Sequence, residues 1–192
     1  MKKVLYFAAL LLSCAFISCE KEEIGETATV SMAGQWYVQI DAVDENGTPI
    51  EGGEDYFGLG RTILLTYNTA SNSTKEMYVD DLGAFDLATT YGYGGYPSYA
   101  LKSKVNINLA DLSFSSNEAT NLSAVNGYES ELYPISISEG KILKGAGRQN
   151  NGSIADSIIF YVSYKNDPWY PDDGYAKYKV SGIRYSGLVE ND

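Results

Sequence analysis

Histidine is missing from all 192 residues. Its absence removes the imidazole base of Ser–His and Cys–His nucleophiles, and with it the commonest nitrogen ligand of catalytic metals. Cysteine is nearly missing: Cys14 and Cys19 are the two in the chain. No residue after 19 can therefore join a disulfide or supply a catalytic thiolate. Basic side chains are scarce, 14 Lys and Arg against 25 Asp and Glu, for a formal net charge of −11. A chain so acidic lacks the phosphate-neutralising surface that nucleic acids require. By charge it is also repelled from anionic lipid surfaces. Apolar runs are short, and none reaches the roughly 20 residues that a membrane-spanning helix needs.

What is present begins at the N-terminus. Met1-Lys2-Lys3 is a basic opening and residues 4–12 are apolar. Phe16-Ile17-Ser18-Cys19 then gives way at once to Glu20-Lys21-Glu22-Glu23. The pattern resembles a bacterial lipoprotein signal peptide, in which the cysteine thiol takes a diacylglycerol and the leader is cut just before it. Cys14 also follows a lipobox-like Leu11-Leu12-Ser13, but Ala15-Phe16-Ile17 continues the apolar run. Only Cys19 stands at the switch from apolar to charged, so it is the expected acylated residue. Two or three acyl chains suit stable anchoring, which takes more than one. The reading divides the chain into a leader at 1–18, a lipidated tether at 19–31 and one domain at 32–192. Removal of 1–18 leaves 174 residues (192 − 18), enough for a sizeable core. Two lysines go with the leader, so the charge becomes −13. Lys21-Glu22-Glu23 resembles the signal that sends lipoproteins of some Gram-negative anaerobes to the outer face of the outer membrane. A periplasm-facing anchor is the alternative.

Beyond the tether, apolar residues alternate and do not recur at helical spacing. Residues 35–43 place Trp36, Val38, Ile40 and Ala42 on one face. Residues 61–68, 75–80, 101–109, 157–165 and 175–188 also read as strands. Residues 132–138 and 141–146 read as a pair around a Glu139-Gly140 hairpin turn. About eight strands without a helical stripe predict an all-β, antiparallel up-and-down barrel or a sandwich, and a closed barrel leaves no exposed edge.

Gly34-Gln35-Trp36 opens the first strand, and Arg184 lies in Gly182-Ile183-Arg184-Tyr185 near the end of the last. This pair resembles the glycine-x-tryptophan and late arginine of lipocalins and other calycins. That resemblance implies a lipocalin-like barrel closed at one end by Gly34, Trp36 and Arg184, with the glycine turning the chain into the strand. Met32-Ala33-Gly34-Gln35-Trp36-Tyr37-Val38, Asp156-Ser157-Ile158-Ile159-Phe160 and the stretch from Tyr178 to Gly187 narrow the resemblance further. They are similar to a family of gut-anaerobe lipoproteins described as lipid-binding putative hydrolases. Members tend to carry a second basic residue after the arginine, where this chain has Tyr185. The resemblance implies a barrel and a lipid ligand. No catalytic residue carries over with it.

Two loops have the composition of binding surfaces. Residues 91–99 hold Tyr91, Tyr93, Tyr96 and Tyr99 among Gly and Ser, and residues 167–174 hold Trp169 and Tyr170 between two prolines. Such rings are rigid and amphipathic and suit ligand contact; the alternative is that they lid the core. Paired carboxylates could serve a glycosidase, from Asp80, Asp81, Asp86, Asp156, Asp172 and Asp173. Most of these stand in turns, where acids cap backbone. Asp167 with Asp172 and Asp173 does not match the spacing of a calcium loop. The expected function is therefore a non-enzymatic, outer-membrane-anchored protein that binds a small apolar or amphipathic ligand without a cofactor or metal. A glycan-binding accessory module of a surface uptake system and a carboxylate hydrolase are the alternatives, and protein partners are left open.

Overall fold

The computed structural model describes residues 26–92, 98–123 and 133–188. Cys19, most of the tether, Tyr93 and Tyr96 lie outside these residues. The described chain forms β1 (Gly34–Val43), β2 (Thr62–Asn68), β3 (Glu76–Asp80), a single-turn helix α1 (Leu87–Thr90) and β4 (Lys102–Asn108). It continues as β5 (Ser113–Ala119), β6 (Ile135–Arg148), β7 (Ile154–Tyr164) and β8 (Lys177–Arg184). Each strand pairs antiparallel with the next and β8 pairs with β1, which closes an eight-stranded barrel.

Period-two alternation puts one face of each strand inside. On β1 the inward set is Trp36, Val38, Ile40 and Ala42, all fully buried; on β7 it is Ile158, Phe160, Val162 and Tyr164. With Leu64, Met77, Val79, Phe114, Tyr178 and Val180 they form one contiguous core. A barrel of this size has room for side chains or one small ligand. Here side chains occupy the interior.

The eight strands differ from the expected eight in two places. β5 reads Ser-Phe-Ser-Ser-Asn-Glu-Ala and carries one large apolar residue, Phe114, so its alternation is faint in the sequence. The expected hairpin at Glu139-Gly140 is instead a bulge within β6. Ser138 pairs with Tyr161 and Lys141 with Ile159, so one residue is extra on β6. The inward phase consequently moves from Ile135 and Ile137 to Ile142. Glu139 absorbs the insertion at φ 53°, and Gly140 is pressed onto Phe114, where a Cβ would lie 2.5 Å from the ring. Bulges bend strands in this way without ending them.

The two ends of the barrel are unequal. Short turns at 69–75, 109–112 and 149–153 share one end, which the chain enters through Met32. β1, β3, β5 and β7 end at the other, where the described parts of the longer connections, 44–61, 81–92, 98–101, 120–123 and 165–176, join the strands. At the short-turn end, Arg184 is the ladder partner of Trp36, and its guanidinium carbon stands 4.5 Å from the indole centroid. Trp36 Nε1 donates to Thr66 Oγ1 (2.8 Å), and that hydroxyl donates to the Met32 carbonyl (2.7 Å). Arg184 Nη1 donates to the Ala33 carbonyl (3.0 Å), and its Nε faces Asp156 Oδ2 at 3.3 Å. Burial works against charge on Asp156, but the Gly145 N–H, Lys144 and Arg184 outweigh it and hold the carboxyl below its ordinary value.

Gly34 serves this end for a reason other than the tight turn expected of it. Its φ is not positive; a Cβ there would lie 2.3 Å from Arg184 Nη1. The glycine makes room for the guanidinium. It follows that Gly34→Ala should destabilise the protein by about 1–2 kcal/mol, the scale of the cation–π contact it displaces. The same change in an Arg184→Ala background should be near neutral. Urea unfolding of the four proteins measures this, and equal costs in both backgrounds would contradict the steric account.

Candidate functional site

The long-loop end is built from rings. Phe57 stacks on Tyr99 with centroids 4.7 Å apart, and both contact Tyr178, at 5.2 and 5.4 Å. Tyr164 meets Tyr99 edge-on at 5.1 Å, and Trp169 lies 5.5 Å from Tyr99. Tyr164 and Tyr178 are brought here by the inward phase of β7 and β8, one residue or two from where each strand meets the loop. Aromatic pairs of these geometries stabilise by about 0.5–1.5 kcal/mol beyond the area they bury.

Their hydroxyls converge on Asp167. Tyr99 donates to its Oδ1 (2.5 Å), as does the Trp169 N–H (3.0 Å), and Tyr178 donates to Oδ2 (2.9 Å). Tyr164 donates to the Tyr99 carbonyl (2.6 Å), and Tyr56 donates to Asp173. Burial foremost, then the neighbouring Tyr99 and Tyr175 and the Asp167 charge, push the Tyr178 hydroxyl far above its ordinary value. Burial and the hydrogen bond to Asp167 do the same for Tyr99. These phenols are proton-bearing donors at neutral pH and cannot act there as bases.

Beside this cluster lies a cleft of about 450 Å³, open to solvent, lined by Tyr164, Tyr170, Tyr175, Tyr178, Asp167 and Lys177 among others. The volume is within the range of small-molecule sites. Tyr170 stands edge-on to Tyr175 at 5.7 Å and is half exposed. Lys177 turns its ammonium away, over the Tyr161 ring at 4.0 Å and toward Glu139 at 3.5 Å. The surrounding loops are acidic: 44–61 and 165–176 together carry eight Asp and Glu against Arg61 and Lys165.

Of the rings expected to contact ligand, Tyr170 borders the cleft, and Trp169 is partly buried against the core beside it. Tyr91 is 45 % exposed and donates to the Phe57 carbonyl at 2.6 Å. Tyr99 is fully buried and belongs to the core cluster. Gly34, Trp36 and Arg184 meet at the opposite end. Tyr164, Tyr175 and Tyr178 were not singled out from the sequence. For Tyr164 and Tyr178 the signal was the alternation itself, which puts 164 in phase with 158, 160 and 162, and 178 in phase with 180; Tyr175 lies in the loop before β8.

The candidate carboxylates are dispersed into structural roles. Asp80 pairs with Lys102 at 2.9 Å and Asp156 with Lys144 at 3.0 Å. Asp86 accepts from the Thr89 hydroxyl, and Asp172 is exposed in its loop. Among the described residues no group of three or more His, Cys, Asp or Glu side chains is placed to hold a metal ion. Asp81 is wholly buried, accepting from the backbone N–H of Gly83 and Phe85, each at 2.9 Å. It thereby folds the start of the loop that carries Phe85, Tyr91 and Tyr99.

A family model described as lipid-binding putative hydrolase matches residues 21–189. No curated protein matches the chain.

Asp81 yields a pH signature. Burial pushes its carboxyl up to about 7, only partly offset by the backbone donors. Between about pH 4 and 7 the folded protein holds a proton that the unfolded chain has released, so stability falls as pH rises through that window. The full rise from 3.8 to about 7 corresponds to about 4 kcal/mol. Urea unfolding across pH 4–8 should show this fall in the wild type and a flatter profile in Asp81→Asn. Parallel profiles would assign the carboxylate as ionised throughout.

Proposed function

We propose that this chain, which belongs to the lipid-binding putative hydrolase family, is a membrane-anchored, non-enzymatic binding protein that holds an amphipathic ligand in the tyrosine-lined cleft of its long-loop end. The family and the closed barrel both fit a lipid-binding role. The observation that carries the finer reading is the contrast between a barrel filled by its own side chains and an open, ring-lined cleft beside Asp167. The ligand's apolar part lies along Tyr170, Tyr175 and Tyr178. Its polar part meets the acidic loops, which favour a neutral or cationic head over an anionic one. Phenols that keep their protons and a chain without histidine suit holding a ligand better than proton transfer.

The anchor in this reading is acylated Cys19 at the outer membrane, facing the cell surface. The described chain enters the barrel at the Trp36 end, so a tether there leaves the cleft on the side away from the lipid. One observation favours a second reading: the half-exposed Tyr170 ring, close to carboxylates, also suits stacking on a sugar. Titration separates the two. Oleoyl lysophosphatidylcholine should bind the wild type, and Tyr170→Ala should weaken it tenfold or more with the melting temperature nearly unchanged. Binding of a neutral oligosaccharide in its place would favour the glycan module, and binding of neither would refute the cleft. For the anchor, Cys19→Ala should abolish fatty-acid labelling in cells; labelling lost only in Cys14→Ala would reverse that assignment.

A further inference from the structure

A second groove lies on the outside of the barrel, where β7, β8 and β1 meet. The ladder aligns outward residues in rows. Leu143, Ser157, Ile183 and Tyr37 are successive partners in one row, and Ile159, Ser181 and Gln39 make the next. Lys179, partner of Tyr161 and Asp41, follows above them. Leu143 and Tyr37 stand at the margins of the first row with Ser157 and Ile183 between them, Ser181 stands between Ile159 and Gln39 in the second, and a groove of about 380 Å³ runs among them. Gly182 belongs to the inward row, paired with Val38 and Ile158, and it lets β8 lie close against β1, since a Cβ there would be 2.1 Å from the Tyr37 carbonyl oxygen. No bulkier residue fits there without parting β8 from β1.

The groove is apolar toward Leu143 and Ile183 and cationic toward Lys179 and Arg61. Leu143 is 41 % exposed, a large hydrophobe left to water on a strand face. Arg61 is held over the Tyr37 ring at 6.0 Å. Among the described residues neither Arg61 nor Lys179 forms an ion pair, although the protein has many more acids than bases. Asp41, which faces Lys179 across the ladder, is turned to the Gln39 amide and the Asp55 N–H at 2.8 and 3.0 Å. Two cations that form no ion pair among the described residues, Lys179 above the second row and Arg61 beside Tyr37, border this apolar channel and are complementary to a molecule with an anionic head and a hydrocarbon tail.

We propose that this groove binds a free long-chain fatty acid, with its carboxylate between Lys179 and Arg61 and its chain along Ile159, Ile183 and Leu143. The site is separate from the tyrosine-lined cleft, whose acidic loops disfavour an anionic head. The test is calorimetric titration of the full chain with sodium oleate below its aggregation concentration. Saturable one-to-one binding is expected. Lys179→Glu and Arg61→Glu should each weaken it tenfold or more, and oleyl alcohol, the same tail without the charge, should bind at least tenfold more weakly. Both cations lie at the surface, and an unchanged urea midpoint checks that each variant is folded; Lys179→Gln serves where charge reversal perturbs the fold. Tyr170→Ala should leave oleate affinity unchanged. Oleate that fails to bind, binds the charge variants as well as the wild type, or binds no better than the alcohol overturns the proposal. Loss of oleate in Tyr170→Ala would place the fatty acid in the end cleft and overturn it equally.

Discussion

The seam between β8 and β1 is the contact on which the rest of the molecule depends. A barrel of sequential hairpins closes only where the last strand finds the first, and no connecting turn enforces that pairing. Here the seam is fastened at its outer end by Arg184 lying over Trp36 and bonded to the Ala33 carbonyl. Two glycines make the approach possible for different reasons. Gly34 leaves space for a guanidinium, and Gly182 leaves space for the β1 backbone itself. Burying an indole contributes more than the cation above it, a few kcal/mol against about one. The arginine's particular contribution is to satisfy and cover the end of the core, so that the chain enters the barrel in one register.

Closing the barrel fills it. With Trp36 at one end and the ring cluster around Tyr99 and Tyr178 at the other, the interior side chains touch one another from end to end. The open clefts lie instead at the mouth, beside the buried rings, and on the outer face of the seam, where Gly182 lets β8 approach β1 closely. The two surfaces carry opposite charge. Acids crowd the mouth around Asp167, while Arg61 and Lys179 flank the seam groove. Asp167 has a further part, since the hydroxyls of Tyr99 and Tyr178 and the Trp169 N–H all end on it and tie the mouth together.

Strands rich in alternating apolar residues were legible in the sequence because burial on one face leaves a period of two. β1, β7 and β8 are of this kind; the closing pair Trp36–Arg184 was expected instead from the resemblance to calycins, through its residue types at the termini of the first and last strands. β5 escaped because six of its seven residues are small or polar and its pairing rests on backbone bonds. The bulge at Glu139-Gly140 looked like a turn because an inserted residue breaks alternation just as a turn does. Only the partner strand reveals which has happened. At the mouth, Trp169 and Tyr170 were visible as loop aromatics, whereas Tyr164 and Tyr178 resembled ordinary strand tyrosines. Tyr99 shows the converse, since loop composition carries no information on whether a ring faces water or packs inward.

The two tryptophans stand at opposite ends of the barrel and make its central claim measurable. Trp36 lies in the sealed end and Trp169 beside the mouth cleft. With Trp169→Phe, Trp36 is the sole tryptophan, and selective excitation reports the sealed end alone. Saturation with oleoyl lysophosphatidylcholine should alter the emission of the wild type and leave that of Trp169→Phe unchanged, because no ligand enters the filled interior. A shift in Trp36 emission on binding would mean that the ligand penetrates the barrel, and would contradict the account.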